Sequence, residues 1–282
     1  MELFYLIMII LGISSQNILK KSFTKKAAGK GVYTFSLITS LSGMGFFILT
    51  SRDLSWNSGL IPFALFFALS FSAATVFGTL AISCGELSLT SLVTSFSLMI
   101  PTFYGLIFLR EPITIGLIPG LILLAASLIL INKKQTQTVG NAKWLIYVLI
   151  AFAGNGMCSV VQKMQQSTFC GAYKNEFMIL SLAFVCAIMC IAATLSERRH
   201  IAVYTKSGWH FALAYGVMNG TVNLFVMILS GLMSVSLMFP LISVGGIVVT
   251  FIISKLFYKE TLTKAQHIGF LLGIAAVIFL NL

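Results

Sequence analysis

The sequence predicts an all-alpha polytopic membrane protein, with ten transmembrane helices arranged as two inverted five-helix repeats. Three observations predict it. The chain is 58% hydrophobic and 9% charged, with a mean hydropathy of +1.00, against roughly 25% charged residues in a soluble domain. Its apolar residues fall in blocks of about 18 to 23, long enough for a helix to cross roughly 30 Å of hydrocarbon. Two related heptapeptides, FLREPIT at 108–114 and FYKETLT at 257–263, recur 149 positions apart. Lipid obliges backbone groups to bond internally, so runs of this length read as helices and not as the shorter alternating strands of a barrel.

The first predicted span, 3–20, contains SSQN at 14–17, a costly insertion unless those groups face protein or water. Spans two and three, 32–50 and 60–82, flank the polar stretch SRDLSWNSG. Glu86 in CGELSLT must end the third, because without a break there 60–109 would be one implausibly long apolar helix. The fourth span, 88–109, holds Thr94, Ser95, Ser97, Pro101 and Tyr104, and the fifth, 113–131, holds Gly116 and Gly120. NKKQTQTVGNAK, 132–143, is the most polar connection, and it reads as a cytoplasmic linker between a unit at 1–131 and a second at 144–282. The sixth span, 144–162, places Asn155, Ser159 and Gln162 where the first places its polar run. The seventh is 177–195. The eighth, 209–229, contains AYGVMNGTVNLF, whose Asn219 and Asn223 are four apart and so share a helix face. The ninth, 233–254, has Ser234, Ser236 and Ser243 around Pro240, and the tenth, 265–281, carries Gly269 and Gly273.

Within the repeat, Phe108, Arg110, Glu111, Ile113 and Thr114 match Phe257, Lys259, Glu260, Leu262 and Thr263, and Gly120 matches Gly269 at the same interval. Each copy closes a set of five spans, which points to duplication. An odd number of spans per copy makes the second copy start on the opposite face, so Glu111 and Glu260 are expected near opposite surfaces. The basic residues orient the whole. Lys20, Lys21, Lys25, Lys26, Lys30, Lys133, Lys134, Lys143, Arg198, Arg199, Lys206, Lys255, Lys259 and Lys264 group on one side, and Arg52, Arg110, Lys163 and Lys174 on the other. That asymmetry puts the first group in the cytoplasm. The net charge of +11 is therefore an orientation signal and not a nucleic-acid one.

Candidate functional residues are the hydrophilic groups inside apolar spans. Ser14, Gln16, Asn155 and Gln162 either line a cavity or bond between helices. Asn219 and Asn223 either face a solute or form an interhelical amide clamp. Proline removes a helical donor and frees a carbonyl one turn earlier, so Pro101 and Pro240 mark places to bend, with Tyr104 as an aromatic contact. Glu86, in its short connection, titrates if partly desolvated, which leaves proton or cation coupling open; Glu111 and Glu260 fit a structural role at helix boundaries. Trp56, Trp144 and Trp209 lie near span ends and read as interfacial anchors. Gly116, Gly120, Gly269 and Gly273 form a small-residue pattern for close helix packing, within the chain or in a homodimer. No arrangement of catalytic carboxylates, Cys/His pairs or phosphate loops stands out, and neither enzymatic activity, a metal nor a cofactor is expected.

The two-times-five plan, with FLREPITIGLIPG and its diverged partner FYKETLTKAQHIG, resembles the EamA-like transporters of the drug/metabolite transporter superfamily. The likeness runs from the first span to the last. It is weaker in the second copy, where Thr261 stands for Pro112 and Ala265 for Gly116. The resemblance implies a plasma-membrane carrier, of a prokaryotic kind, for small polar or amphipathic metabolites such as amino acids or their derivatives, often an exporter working by alternating access. It also implies a pathway lined by helices three, four, eight and nine, which makes Thr75, Thr94, Ser95, Asn219, Asn223 and Ser236 pathway candidates. A channel or lipid-translocating protein is the alternative class. The expected partners are a small-molecule metabolite and the surrounding lipids.

Overall fold

The computed structural model describes residues 2–27, 30–51, 53–84, 90, 93–94, 96–111, 115–132, 142–198, 200–258 and 264–280. Among these residues there are no strands. The helices are α1 (Glu2–Lys26), α2 (Val32–Thr50), α3 (Leu60–Cys84), α4 (Met99–Phe108), α5 (Leu117–Asn132), α6 (Ala142–Thr168), α7 (Lys174–Ser196), α8 (Ile201–Leu232), α9 (Val235–Tyr258) and α10 (Lys264–Leu280). A 3-10 turn, Phe96–Leu98, leads directly into α4.

The segments Glu2–Thr24, Val32–Thr50, Leu60–Cys84, Lys143–Thr168, Lys174–Ser196 and Gly208–Leu232 are each long and apolar enough to cross a membrane. Their outer faces are apolar as well. Leu3, Phe4, Ile7 and Leu11 expose one stripe of α1, and Leu65, Phe66 and Leu69 expose another on α3. Apolar surface of this extent is rare on a soluble monomer, whereas hydrocarbon solvates it without cost. The chain is an all-α membrane protein.

Inside, aromatic and aliphatic side chains join the helices. Phe47, Phe67, Phe177, Met178 and Leu182 centre one cluster among α2, α3, α6 and α7. Ile9, Val226, Phe239 and Ile242 centre another among α1, α8 and α9. The most extensive pairings are α3 with α6, α5 with α10, α1 with α8, α2 with α8, and α2 with α7. Gly154 shows what the first of these requires. A Cβ there would lie 2.7 Å from the Ser70 carbonyl oxygen and 2.9 Å from the Ala74 nitrogen, so α3 and α6 approach backbone to backbone. In the α5–α10 pair, the Ser127 hydroxyl donates to the Gly269 carbonyl at 2.6 Å, which places one of the small-residue stripes in a contact within the chain.

Several boundaries differ from the sequence expectation. Helix α1 continues to Lys26 and α6 to Thr168, so Lys20 and Lys163 belong to helices and not to the connections that follow them. The fourth span is divided: Thr90, Val93 and Thr94 are helical, and the 3-10 turn separates them from α4. Pro101 therefore occupies the first turn of α4, where a missing N–H breaks no helical bond, while Pro240 lies inside α9. Trp144 is buried and its indole N–H donates to the Thr90 hydroxyl at 3.0 Å. It ties α6 to the fourth segment and is not an interfacial anchor; Trp56 and Trp209 are exposed.

Candidate functional site: an interior row of amides

Four carboxamides from three helices meet in the interior. On α6, the Gln162 side chain donates to Asn223 Oδ1 at 2.7 Å. On α8, Asn223 Nδ2 donates to Asn219 Oδ1 at 3.0 Å and to the Asn219 carbonyl at 2.8 Å. Asn219 Nδ2 then crosses to α1 and donates to Gln16 Oε1 at 3.2 Å. The i, i+4 spacing of the asparagines makes this possible, because it stacks them on one face of α8. At each of the three links an amide nitrogen donates to the oxygen of the next amide, so the four dipoles run head to tail and polarise one another. The row ends on the Gln16 amide nitrogen, which is buried and has no hydrogen-bond partner among the described residues. Gln16 and Gln162 are buried, and the two asparagines are partly so.

The other sequence candidates fall around this row or apart from it. Asn155, two turns before Gln162, donates to the Ser97 hydroxyl at 2.6 Å, and Ser97 in turn donates to the Thr94 carbonyl at 2.5 Å. This chain of bonds pins the 3-10 turn against α6. Thr75 is buried on α3, where its carbonyl accepts the Thr79 hydroxyl at 2.7 Å, and Ser14 is buried on α1. Tyr104 stacks on Phe108 along α4, with ring centroids 5.3 Å apart. Ser236 is buried in the first turn of α9. Ser95, Glu86 and Glu260 lie outside the described residues.

Glu111 has a defined task. Helix α4 ends as the Glu111 N–H returns to the Gly105 carbonyl at 3.1 Å, with Arg110 in the left-handed region at φ 52°. This turn points the carboxylate at the start of α9. There Oε1 accepts the Val235 N–H at 3.1 Å and Oε2 accepts the Ser236 N–H at 2.9 Å. The first N–H groups of a helix lack intrahelical partners and favour a negative charge. Glu111 is thus a cap supplied from a distant part of the chain. Glu197 acts alike at the start of α2, accepting the Tyr33 and Thr34 N–H groups at 3.1 and 2.9 Å, whereas Glu176 accepts the Ser55 N–H at 3.1 Å in the connection between α2 and α3.

Sequence reasoning missed two lysines. On α6, the Lys163 ammonium donates to the Ser230 carbonyl at 2.8 Å, and Glu111 is its electrostatic neighbour. On α1, the Lys20 ammonium reaches across to α3, lying 3.4 Å from where a Cβ on Gly78 would be, with the Ala151 methyl of α6 3.7 Å from the same point. Both sit beside other cationic or polar residues near span ends, a pattern that reads as a solvated flank. The signal available in the sequence was spacing: Lys20 is four residues after Gln16 and so shares its face.

Compared by sequence, the chain matches no protein-family profile and no curated protein. Compared by structure, 28 chains of solved structures match it. One of these, described only as the crystal structure of a protein, aligns over 96% of this chain and 95% of its own with a TM-score of 0.70, at 12% identity. At that identity the likeness concerns the fold alone, and it extends over nearly all of both chains.

Proposed function

We propose that this chain is a secondary transporter with ten spans in two inverted five-helix units, moving a small polar or amphipathic organic metabolite across a cell membrane by alternating access. The observation that carries the reading is the row Gln162–Asn223–Asn219–Gln16. Interhelical hydrogen bonds in membranes contribute only about 0.6 kcal/mol on average, so stability alone is a weak reason to bury four amides. An interior that must exchange water for a polar solute is a stronger one.

The helix pairings support the two-unit plan. When α1–α5 are exchanged for α6–α10 in order, the α3–α6 pairing becomes α8–α1, α2–α8 becomes α7–α3, and α1–α9 becomes α6–α4, all of which occur. The pairings α2–α7, α4–α9 and α5–α10 map onto themselves. Two related units of opposite orientation facing each other across a central axis give this pattern, and carriers built so place their sites near the bilayer midplane. The repeated FLREPIT and FYKETLT ends support membership of the EamA-like carriers, with a prokaryotic plasma membrane as the location. Glu111, as a cap between α4 and α9, would hold one end of this axis.

The test is counterflow. Purified protein in liposomes preloaded with unlabelled solute should accumulate the labelled form transiently and saturably, across a panel of amino acids, amines, organic acids and sugars. Flux that neither saturates nor shows counterflow would mean a channel. Movement of labelled lipid without solute exchange would mean a lipid-translocating protein.

A further inference from the structure

The polarity of the amide row has a consequence at its Gln16 end. Because Gln16 Oε1 already accepts from Asn219, the orientation of its amide is set by the row, and what remains is a pair of N–H donors. The side chain is 8% exposed and its nitrogen has no partner among the described residues. One helical turn further along α1, on the same face, is Lys20. Its side chain is partly buried, and its ammonium is held in the interior over Gly78 of α3. Among the described residues no hydrogen bond or ion pair engages that ammonium.

Among the described residues the acids do not supply a counter-charge. Glu111, Glu176 and Glu197 are occupied with backbone N–H groups elsewhere. Glu2 lies at the other end of α1, eighteen residues and so about 27 Å from Lys20 along the helix. Asp53 belongs to the connection between α2 and α3, before the start of α3, while Gly78 is three-quarters of the way along that helix. Lys163 shows the contrast, since its ammonium donates to Ser230. These two groups, four residues apart on one face of α1, one cationic and one the terminus of a polarised row, offer hydrogens that no acceptor among the described residues takes up. Such a set is complementary to oxygen atoms bearing negative charge.

We propose that Lys20 and Gln16 form an oxyanion subsite, which receives the carboxylate or phosphate group of a small organic anion. As the place where the transported solute docks, the subsite rests on the carrier reading; as a binding site, it stands on its own geometry. Gly78 belongs to it by leaving room for the ammonium, since a larger side chain there would occupy the approach.

Two measurements separate the possibilities. The first is thermal denaturation of the purified protein in detergent, titrated with succinate, glycerol 3-phosphate, leucine or putrescine at constant ionic strength against chloride. Succinate or glycerol 3-phosphate should raise the melting temperature saturably, and whichever acts at lower concentration distinguishes carboxylate from phosphate. Putrescine should not raise it. Lys20→Gln should raise the half-saturating anion concentration at least about tenfold, as expected for loss of a charge-assisted contact, and Lys20→Arg should restore most of the effect. If Lys20→Gln does not fold, Lys20→Arg together with Gln16→Leu serves instead: retained binding in the first and weakened binding in the second is the expected pair. Absence of any anion-specific shift, or a shift unchanged in Lys20→Gln, overturns the subsite. So does restoration of wild-type behaviour in a Lys20→Gln, Glu86→Gln double variant, because it would show that Lys20 serves as the partner of Glu86.

The second measurement is counterflow of the same four solutes in liposomes. Anion exchange that Lys20→Gln abolishes supports both readings. Anion binding without exchange of any solute leaves the subsite standing and removes the carrier reading. Anion exchange that is insensitive to Lys20→Gln, or exchange of putrescine without any anion-specific shift in melting temperature, leaves the carrier standing and removes the subsite.

Discussion

Helices α1 and α6 open the two predicted units, and the C-terminal half of each carries glutamine and lysine, among them Gln16 and Lys20 on the first and Gln162 and Lys163 on the second. They use these residues differently. On α6 both are satisfied by the protein, Gln162 through Asn223 and Lys163 through the Ser230 carbonyl. On α1 the Gln16 nitrogen and, among the described residues, the Lys20 ammonium are not. An interior cation that the fold neutralises can be explained by the fold. One that it leaves open calls for a partner from outside the chain, because burying an unpaired charge is among the costliest arrangements available. At the level of these two pairs α6 is thus the structural member and α1 the member poised toward a ligand; the buried Gln166 Oε1, one turn beyond Lys163, is left without a partner among the described residues but carries no charge.

The same contrast holds for packing, and it gives the largest expected effect. Gly154 on α6 meets the α3 backbone at 2.7 and 2.9 Å, whereas Gly12 on α1 meets only the side chains of Val222 and Met218. Two main-chain atoms must give way in the first case, one valine methyl in the second. Gly154→Ala should therefore lower stability by about 1–3 kcal/mol or prevent folding, and Gly12→Ala by less, because a small shift of the Val222 methyl is needed there and not a separation of two main chains. Melting temperatures in detergent by fluorescence size-exclusion would check the order. Equal losses would dissolve the distinction between the two helices.

The lysines should part in a comparable way. Lys163→Met removes a charge-assisted hydrogen bond, worth about 1.5–3 kcal/mol, and should reduce thermal stability measurably. Lys20→Met removes an ammonium with no partner among the described residues, so stability should stay the same or rise slightly, while saturable exchange of an anionic solute is lost. A fall in stability for Lys20→Met as large as that for Lys163→Met would mean that the two cations do the same structural work.

How legible all this was in the sequence varies with the physics behind each feature. Membrane residence follows from composition, which no packing detail can reverse. Asn219 and Asn223 announce their shared face through spacing alone, and Gln16, Gln162 and Asn155 stand out as polar groups in apolar runs. Lys20 did not stand out, because it heads the series Lys20, Lys21, Lys25, Lys26, and charge runs ordinarily flank a span. Only the continuation of α1 to Lys26 and the space above Gly78 separate it from its neighbours. The split of the fourth span was hidden for another reason. It depends on Asn155 holding Ser97, a contact between residues 58 positions apart, and local pattern carries no information at that distance. Trp144 misled in the same way, since its partner Thr90 lies 54 positions earlier.

A smaller effect is expected at Glu111, whose role bears on whether the Lys163 end is organised by charge or by shape. The carboxylate accepts one N–H on each oxygen. Glu111→Gln keeps the shape but turns an amide NH₂ toward one of those N–H donors and removes the charge that favours a helix N-terminus. The loss should be about 1–2 kcal/mol in stability, and Lys163→Met should then cost less in the Glu111→Gln background than alone. A double-mutant cycle on thermal stability reads that coupling. Additive losses would show that Glu111 acts on α9 only and that Lys163 stands apart from it.

The smallest effect in stability is expected for Asn223→Ala, although it cuts the amide row at its middle. Membrane hydrogen bonds average about 0.6 kcal/mol, because the separated groups find other partners, and among the described residues Asn223 makes side-chain bonds only to Gln162 and to Asn219 on its own helix. Its removal should nonetheless end the polarisation that runs from α6 to Gln16, since Asn219 would lose the donor that feeds its Oδ1. Anion binding at the Gln16 end should weaken by more than the loss of folding stability accounts for, with the α1 residues untouched. Titrating the succinate-induced shift in melting temperature for Asn223→Ala beside Gln162→Ala tests this, because Gln162 lies one link further from α1 and should matter less. If both variants bind as the parent does, the row is an interhelical clamp, and the donor end at Gln16 owes nothing to it.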